Sequence, residues 1–410
     1  MATQIFTNIS LLVNQRESRG LIGGNELSKL PCVTNAYIII ENDIISEIGQ
    51  MKELQFSKEQ KKVPNNTVVL PCWCDSHTHL VFAGSREEEF IDKVKGLSYA
   101  EIAAKGGGIL NSAEKLRETS EDVLFISAWK RLEEISKLGT GAVEIKSGYG
   151  LSLDGELKML RVIKRLKEKS QLSIKATFLA AHAFPLKYKE NHEGYIDCII
   201  NEMLPVIARE KLADYIDVFC EQGFFSAEEM KKICDAGKSY GLKSKLHVNQ
   251  LNSIGGIETG ISLNALSLDH LETLTGKEIQ LLGNYSGSST LLPTAAFFLR
   301  STLPPARELI NAGAAVTLAS DYNPGSSPSG NMNFVVALSC IQMKMLPEEA
   351  INAATINGAC AMEIGKDYGS IAVGKKANLI FTKPVPSLSY LPYSFANNLI
   401  DKVMINGSFI

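Results

Sequence analysis

Short apolar runs alternate with longer charged segments through most of this chain. Ala142-Val143-Glu144-Ile145, Ile174 to Leu179, Tyr215 to Phe219, Leu242 to Val248, Leu266 to Leu268 and Ala314 to Ala319 have the length and content of buried strands. Between them lie segments of helical periodicity, among them Glu121 to Leu138, Leu153 to Ser170 and Ser226 to Tyr240. Repeated strand-then-helix units predict a parallel sheet, open or closed. The two ends have a different texture. Ile9 to Val13, Ala36 to Glu41 and Ile44 to Ile48 read as strands, with Asn42 and Asp43 at a hairpin turn. Near the other end Ala377 to Phe381 and Ile400 to Asn406 return to the strand pattern, punctuated by Val373-Gly374-Lys375 and Asn406-Gly407. The prediction is an α/β fold: a (β/α)8 TIM-type barrel over residues 67–365, inserted in a small β-sandwich domain that both termini build from residues 1–66 and 366–410. The middle region slightly exceeds the roughly 250 residues typical of such a barrel, which leaves room for insertions around a site.

Composition narrows the partners. At 410 residues, 45% hydrophobic and 21% charged, the chain is an ordinary globular one. A net charge of -3 without a basic patch argues against nucleic acid or an anionic membrane surface as partner. The lysine clusters at Lys61-Lys62, Lys164 to Lys169 and Lys231-Lys232 read as solvated faces. The eight cysteines form no CxxC pair and no disulfide framework, as expected of reduced thiols in a cytosolic protein. Met1 to Phe6 lacks the features of a signal peptide, and no apolar stretch reaches membrane-spanning length, so a cytoplasmic location is expected. Whether the chain forms a homodimer stays open.

The chemistry begins at Asp75-Ser76-His77-Thr78-His79, which follows the apolar run Thr67-Val68-Val69-Leu70-Pro71 where a strand should be ending. Residues i and i+2 of a strand share a face, so His77 and His79 form half of a site for a first-row metal ion. The same alternation turns Cys72 and Cys74 away from positions 75, 77 and 79, and they are read as buried structural thiols. Of the six histidines, five (His77, His79, His182, His247 and His270) stand at or just past the end of a predicted strand, the edge where barrels and open parallel sheets build their sites. His192, in Glu190-Asn191-His192-Glu193-Gly194, is placed in a polar loop. His247 is the best third metal ligand, and Asp321, after Ala314 to Ser320, the best carboxylate. Lys146 ends the strand Glu144-Ile145-Lys146. It is read as a surface or substrate-directed lysine, with a carbamylated lysine bridging two metals as the open alternative.

Taken together these residues resemble the amidohydrolase superfamily of barrel hydrolases. The resemblance runs through Asp75 to Gly84 with Arg86 and Glu89-Phe90, then Gly106-Gly107-Gly108-Ile109 and Glu144 to Leu151. It continues through Ala180 to Ala183, Val218 to Glu221, Lys245-Leu246-His247 with Gln250-Leu251, Asp269 to Glu272, and Asp321 to Pro328. It implies one zinc or iron ion on His77, His79, His247 and Asp321, and contacts to a small-molecule substrate from Arg86, Tyr149, His182, Asn323, Gly325 and Ser326, with Gln250 and His270 beside the metal. Gln250 cannot act as a general base and is given an orienting role. His247-Val248-Asn249 departs from the family's usual His-Ala-Glu or His-Ala-Asp without removing a ligand.

The activity implied is hydrolysis of a five-membered cyclic amide with a propionate tail, 4-imidazolone-5-propanoate, to N-formimino-L-glutamate. Arg86 is a forked donor suited to the tail carboxylate, and the loop from Asn323 to Ser329 offers backbone N–H groups for an anion or a ring oxygen. Asp321 is expected to take and return the proton, while His270 and His182 steady oxyanion and ring. Two alternatives remain: another cyclic amidase or a deaminase of the same superfamily, and, from a different class, a metal-free scaffold.

Overall fold

The computed structural model describes residues 3–17, 20–55, 59–97, 101 and 107–410. Met1, Ala2 and Gly106, which figured in the sequence reading, lie outside the described residues.

The strands are β1 (Thr3–Val13), β2 (Cys32–Glu41), β3 (Ile44–Gln50), β4 (Lys61–Lys62) and β5 (Val68–Pro71), then β6 (Trp73–Thr78), β7 (Thr140–Lys146), β8 (Ser173–Ala181), β9 (Tyr215–Cys220), β10 (Lys243–Val248), β11 (Ser267–His270), β12 (Ser288–Leu291) and β13 (Val316–Leu318), and finally β14 (Leu379–Thr382), β15 (Ile400–Ile405) and β16 (Ser408–Phe409). Strands β6 to β13 form one parallel sheet in chain order. Its first and last strands are joined just beyond β13, where Asp321 N–H donates to the His77 carbonyl at 3.0 Å and His79 N–H to the Tyr322 carbonyl at 2.9 Å. The buried Asp75 carboxylate braces this closure, accepting from Ser320 N–H at 3.0 Å and from the Ser320 hydroxyl at 2.5 Å. Closure therefore brings residues 77, 79 and 321 side by side although more than half the chain separates them.

The helices between the strands follow their sequence signals. Leu153–Lys169 starts at Ser152, whose side chain accepts from Gly155 N–H, and buries Leu157, Leu160, Ile163 and Leu166 on one face. The other two expected helices are found at Glu121–Lys137 and Ala227–Ser239. His192 opens the helix His192–Asp197 rather than sitting in a loop, and its ring stacks on Phe184 at 3.6 Å.

The strands from both termini join in one mixed sheet, ordered β16-β15-β14-β5-β1-β2-β3, with β4 beside β1. Phe6, Ile9, Ile38, Ile40, Val69, Leu379, Phe381 and Met404 form its core. The hairpin at Asn42 is confirmed, with φ +59° at that residue. One expectation is corrected: the apolar run before the histidine pair is β5, which pairs with β1 and β14 in the terminal sheet. The histidines are carried by β6, whose residues Asp75, Ser76, His77 and Thr78 are polar and buried. Strand β12, Ser288-Ser289-Thr290-Leu291, has no apolar signature; the Ser288 hydroxyl is satisfied inside the barrel, donating to Thr317 Oγ1 at 2.6 Å and lying 3.2 Å from Thr290 Oγ1.

None of the eight cysteines forms a disulfide, and Cys74 packs with Ala142, Ala359 and Met362, away from the histidines. Among the described residues no helix is long and apolar enough to cross a membrane.

Candidate active site

His77 and His79 come from the end of β6, His247 from β10 and Asp321 from the segment after β13. Their donor atoms converge. Asp321 Oδ1 lies 3.6 Å from Nε2 of His77 and 3.6 Å from Nε2 of His79, and His247 Nε2 lies 3.4 Å from His79 Nε2. Ligands about 2.1 Å from a tetrahedral ion are themselves about 3.4 Å apart, so these separations match the edges of one coordination shell. Two of the rings are aimed from behind: His77 Nδ1 meets Asp269 Oδ2 at 2.7 Å and His247 Nδ1 meets Asp217 Oδ2 at 2.8 Å. A carboxylate on Nδ1 fixes the tautomer that leaves the Nε2 lone pair free.

Burial, then neighbouring positive groups, push His77, His79 and His247 well below the ordinary imidazole range. They are neutral, as a metal ligand must be. Nε2 of His77 is buried and has no hydrogen-bond partner among the described residues. A buried lone pair without a donor fits a cation at the centre of this set. The donor set suits a divalent metal.

Above the donors opens a cavity of about 530 Å³, lined by His79, His247 and Asp321 of the cluster and by Arg86, Tyr149, His182, Gln250, His270, Asn323, Gly325 and Ser326. His77 lies beneath it, fully buried. His182 Nδ1 sits 3.1 Å from the Gly148 carbonyl, and the ring stacks on His79 at 5.0 Å. Burial brings its pKa down to about 4, so the ring is neutral, with Nδ1–H donating and Nε2 as an acceptor. Gly148, at φ +111°, is where a Cβ would meet His182 Nδ1 at 2.9 Å. His270 Nδ1 faces Glu272 Oε1 at 3.3 Å. Burial lowers His270, but Glu272, Asp321 and Asp269 outweigh it and the net direction is up. Burial raises the Asp321 carboxyl to about 6 against the opposing effect of His270.

Arg86 is the nearly buried cation of the cavity. Its Nε and Nη1 have no hydrogen-bond partner among the described residues, and the Glu89 carboxylate is 3.6 Å from Nε. Glu89 in turn accepts from Gly108 N–H at 3.0 Å and from Asn111 at 3.1 Å, tying the Arg86 segment to the following helix. A Cβ on residue 325 would lie 1.2 Å from Arg86 Nη2. Gly325→Ala must therefore displace the guanidinium, and the KM for an anionic substrate is expected to rise at least about tenfold with kcat changed less. Steady-state kinetics of the variant check this, and an unchanged KM would remove Arg86 from the binding of the tail.

Two sequence expectations are corrected here. The N–H groups of Gly325 and Ser326 are already engaged within the loop: both donate to Asn323 Oδ1 at 2.8 Å, closing a tight turn. The Asn323 amide is thus engaged in the loop, while Ser326 Oγ donates to Asp321 Oδ2 at 3.2 Å and helps to aim it. Lys146 is neither at the surface nor directed to the cavity: it is fully buried under the histidines, 2.7 Å from Glu144 Oε1 and 2.8 Å from Asp217 Oδ2. The sequence reading also missed Asp217, Asp269 and Lys245. Their signal was a charge inside a buried strand, which requires a partner. Lys93 and Arg300, which line the mouth of the cavity, were missed as well.

A parallel barrel whose strand ends gather three imidazoles and a carboxylate at the floor of an open cavity defines a metal-dependent hydrolase of the amidohydrolase type. The amidohydrolase family model matches residues 221–410. Triazine hydrolase from Arthobacter aurescens shares the fold, with a TM-score of 0.74 at 14% identity over 100% of this chain and 94% of that one. Within this class the chain belongs to the imidazolonepropionase family. It is 56% identical over 408 residues to imidazolonepropionase of Flavobacterium johnsoniae, with 99% of each chain covered, and 52% identical to that of Christiangramia forsetii over the full length of both.

Proposed function

We propose that the chain hydrolyses the ring amide of 4-imidazolone-5-propanoate to N-formimino-L-glutamate, with one zinc or iron ion held by His77, His79, His247 and Asp321. The observation that carries this reading is the convergence of those donors at 3.4–3.6 Å below a cavity whose one nearly buried guanidinium lacks a hydrogen-bonded partner among the described residues. Membership of the family supports the substrate.

When bound, the ion supplies Lewis acidity and brings the pKa of a water toward neutrality. The rest is done by this chain's residues. Arg86 grips the propionate by its free N–H groups, with Tyr149 beside it. Neutral His182 presents Nε2 as an acceptor to a ring N–H. Glu272 holds His270 through Nδ1, leaving Nε2 for the carbonyl oxygen as charge develops there. Asp321, aimed by Ser326, takes the proton from the attacking water and returns it to the departing ring nitrogen. The C–N bond breaks, and the former carbonyl becomes the second carboxylate of the product. Gln250 orients the substrate.

In this reading residues 67–365 form the hydrolase unit, apart from β5 (Val68–Pro71), which joins residues 1–66 and 366–410 in the supporting β domain, and the protein acts in the cytoplasm on a small molecule, with no nucleic acid or membrane partner. Arg86→Met is expected to lower kcat/KM by roughly 10²- to 10³-fold, mainly through KM, because a buried charge pair is broken on one side. Equal kcat/KM in both proteins would assign the tail to another cation. The function itself is tested by generating the imidazolone in situ and following the loss of its ultraviolet absorbance. Decay accelerated by the protein and abolished by a chelator is expected; decay unchanged by the protein overturns the reading.

A further inference from the structure

Five charged side chains lie fully buried beneath the histidines: Glu144 and Lys146 on β7, Asp217 on β9, Lys245 on β10 and Asp269 on β11. Lys146 Nζ is 2.7 Å from Glu144 Oε1, 2.8 Å from Asp217 Oδ2 and 3.7 Å from Asp269 Oδ2. The last two oxygens are the ones that meet Nδ1 of His247 and His77, at 2.8 and 2.7 Å. A single ammonium thus stands behind both carboxylates that aim two of the three imidazoles. Lys245 is also fully buried but pairs with neither of those carboxylates directly, reaching Glu144 Oε2 at 2.6 Å and the carbonyls of Ala361 and Ser76, and its pull on Asp269 is weaker than that of Lys146.

The geometry points to Lys146 as the positioning residue of the metal centre: one ammonium locks Asp217 and Asp269, and through them His247 and His77, in the orientation that binds a single ion. Carboxylates gathered in a low-dielectric interior repel one another unless a cation sits between them. Without it, Asp217 and Asp269 must separate or take up protons, and either change loosens the Nδ1 contacts. Occupied in this way, Lys146 is not available as a carbamate bridging a second ion. Carbamylation needs the neutral amine, and the surrounding carboxylates outweigh burial and hold this group far on the protonated side.

The inference rests on the metal reading above, and its test separates the two. Zinc affinity is measured on the metal-free full chain by competition with a chromophoric chelator, and the melting temperature of the metal-free chain is recorded alongside. Lys146→Met is expected to weaken zinc binding about 10- to 100-fold, the range for residues that act behind a ligand. Lys245→Met, which deletes an equally buried ammonium, is expected to lower the melting temperature to a similar degree and to change zinc affinity much less. Failure of the unchanged chain to bind zinc would overturn the metal reading. Tight binding by both the unchanged chain and Lys146→Met, or equal weakening in the two lysine variants, would overturn the role of Lys146. Should Lys146→Met not fold, Lys146→Gln, which keeps an N–H donor, is measured with the same expectation. The unchanged chain, incubated with ¹³C-bicarbonate and zinc, is expected to show no carbamate carbon and one zinc per chain; a carbamate signal with two zinc ions overturns the inference.

Discussion

Asp321→Asn is expected to lower kcat by roughly 10²- to 10⁴-fold, the contribution of a positioned proton-transfer group, while the fold is retained. The substitution separates chemistry from structure unusually well. Asp321 adopts φ +51°, a left-handed conformation that asparagine tolerates better than other residues with a Cβ. The main-chain bonds that close the barrel here, Asp321 N–H to His77 O and His79 N–H to Tyr322 O, do not involve the altered side chain. The amide keeps an oxygen for Ser326, but it loses the negative charge facing His77 and His79 and cannot carry a proton between water and ring nitrogen. Turnover by the absorbance assay and melting by circular dichroism check the two halves. Near-normal turnover would remove Asp321 from proton transfer, and a collapsed melting transition would show that the charge is needed by the fold.

Removal of the ion is expected to abolish activity, and readdition of zinc or ferrous iron to restore it, because three neutral imidazoles cannot generate a hydrolytic nucleophile by themselves. It should also lower the melting temperature. An ion present at about a thousand times its dissociation constant stabilises the folded chain by about 4 kcal/mol through mass action, and stripping it leaves buried acceptors such as His77 Nε2 without a partner. Dialysis against chelator followed by metal analysis, assay and a melting curve checks this. Full activity in protein shown to be metal-free would overturn the centre; activity restored by one metal and not the other would identify the ion that works.

The histidines and the carboxylate that converge at the strand ends were legible because each has a local signature. His77 and His79 share a strand face by their spacing, and His182, His247, His270 and Asp321 each follow an apolar run, so a parallel fold could only deliver them to one edge. Arg86, Tyr149 and the loop from Asn323 were legible through family resemblance rather than through pattern. The loop shows the limit of local reading: its small residues suggested an anion nest, yet Asn323 takes the N–H groups of Gly325 and Ser326 for itself.

Strand β12 and the charged cluster beneath the histidines were not legible, for one physical reason. An apolar pattern reports burial only where the interior is apolar, and the strands of this barrel bury many polar and charged side chains. Alternation along β7 says that Glu144 and Lys146 share a face, but not which face. What the sequence by itself determined is the order of strands and helices, the two-ended terminal sheet and the strand-end chemistry, since these depend on neighbours a few residues apart. The tertiary structure alone decided that β5 belongs to the terminal sheet, that Lys146 points inward, and that Asp217 and Asp269 stand behind His247 and His77. Those outcomes depend on barrel closure and on the register of β9, β10 and β11, where His247 lies level with Asp269 on the next strand, and such register is set by packing summed over the whole barrel rather than by any local run of residues.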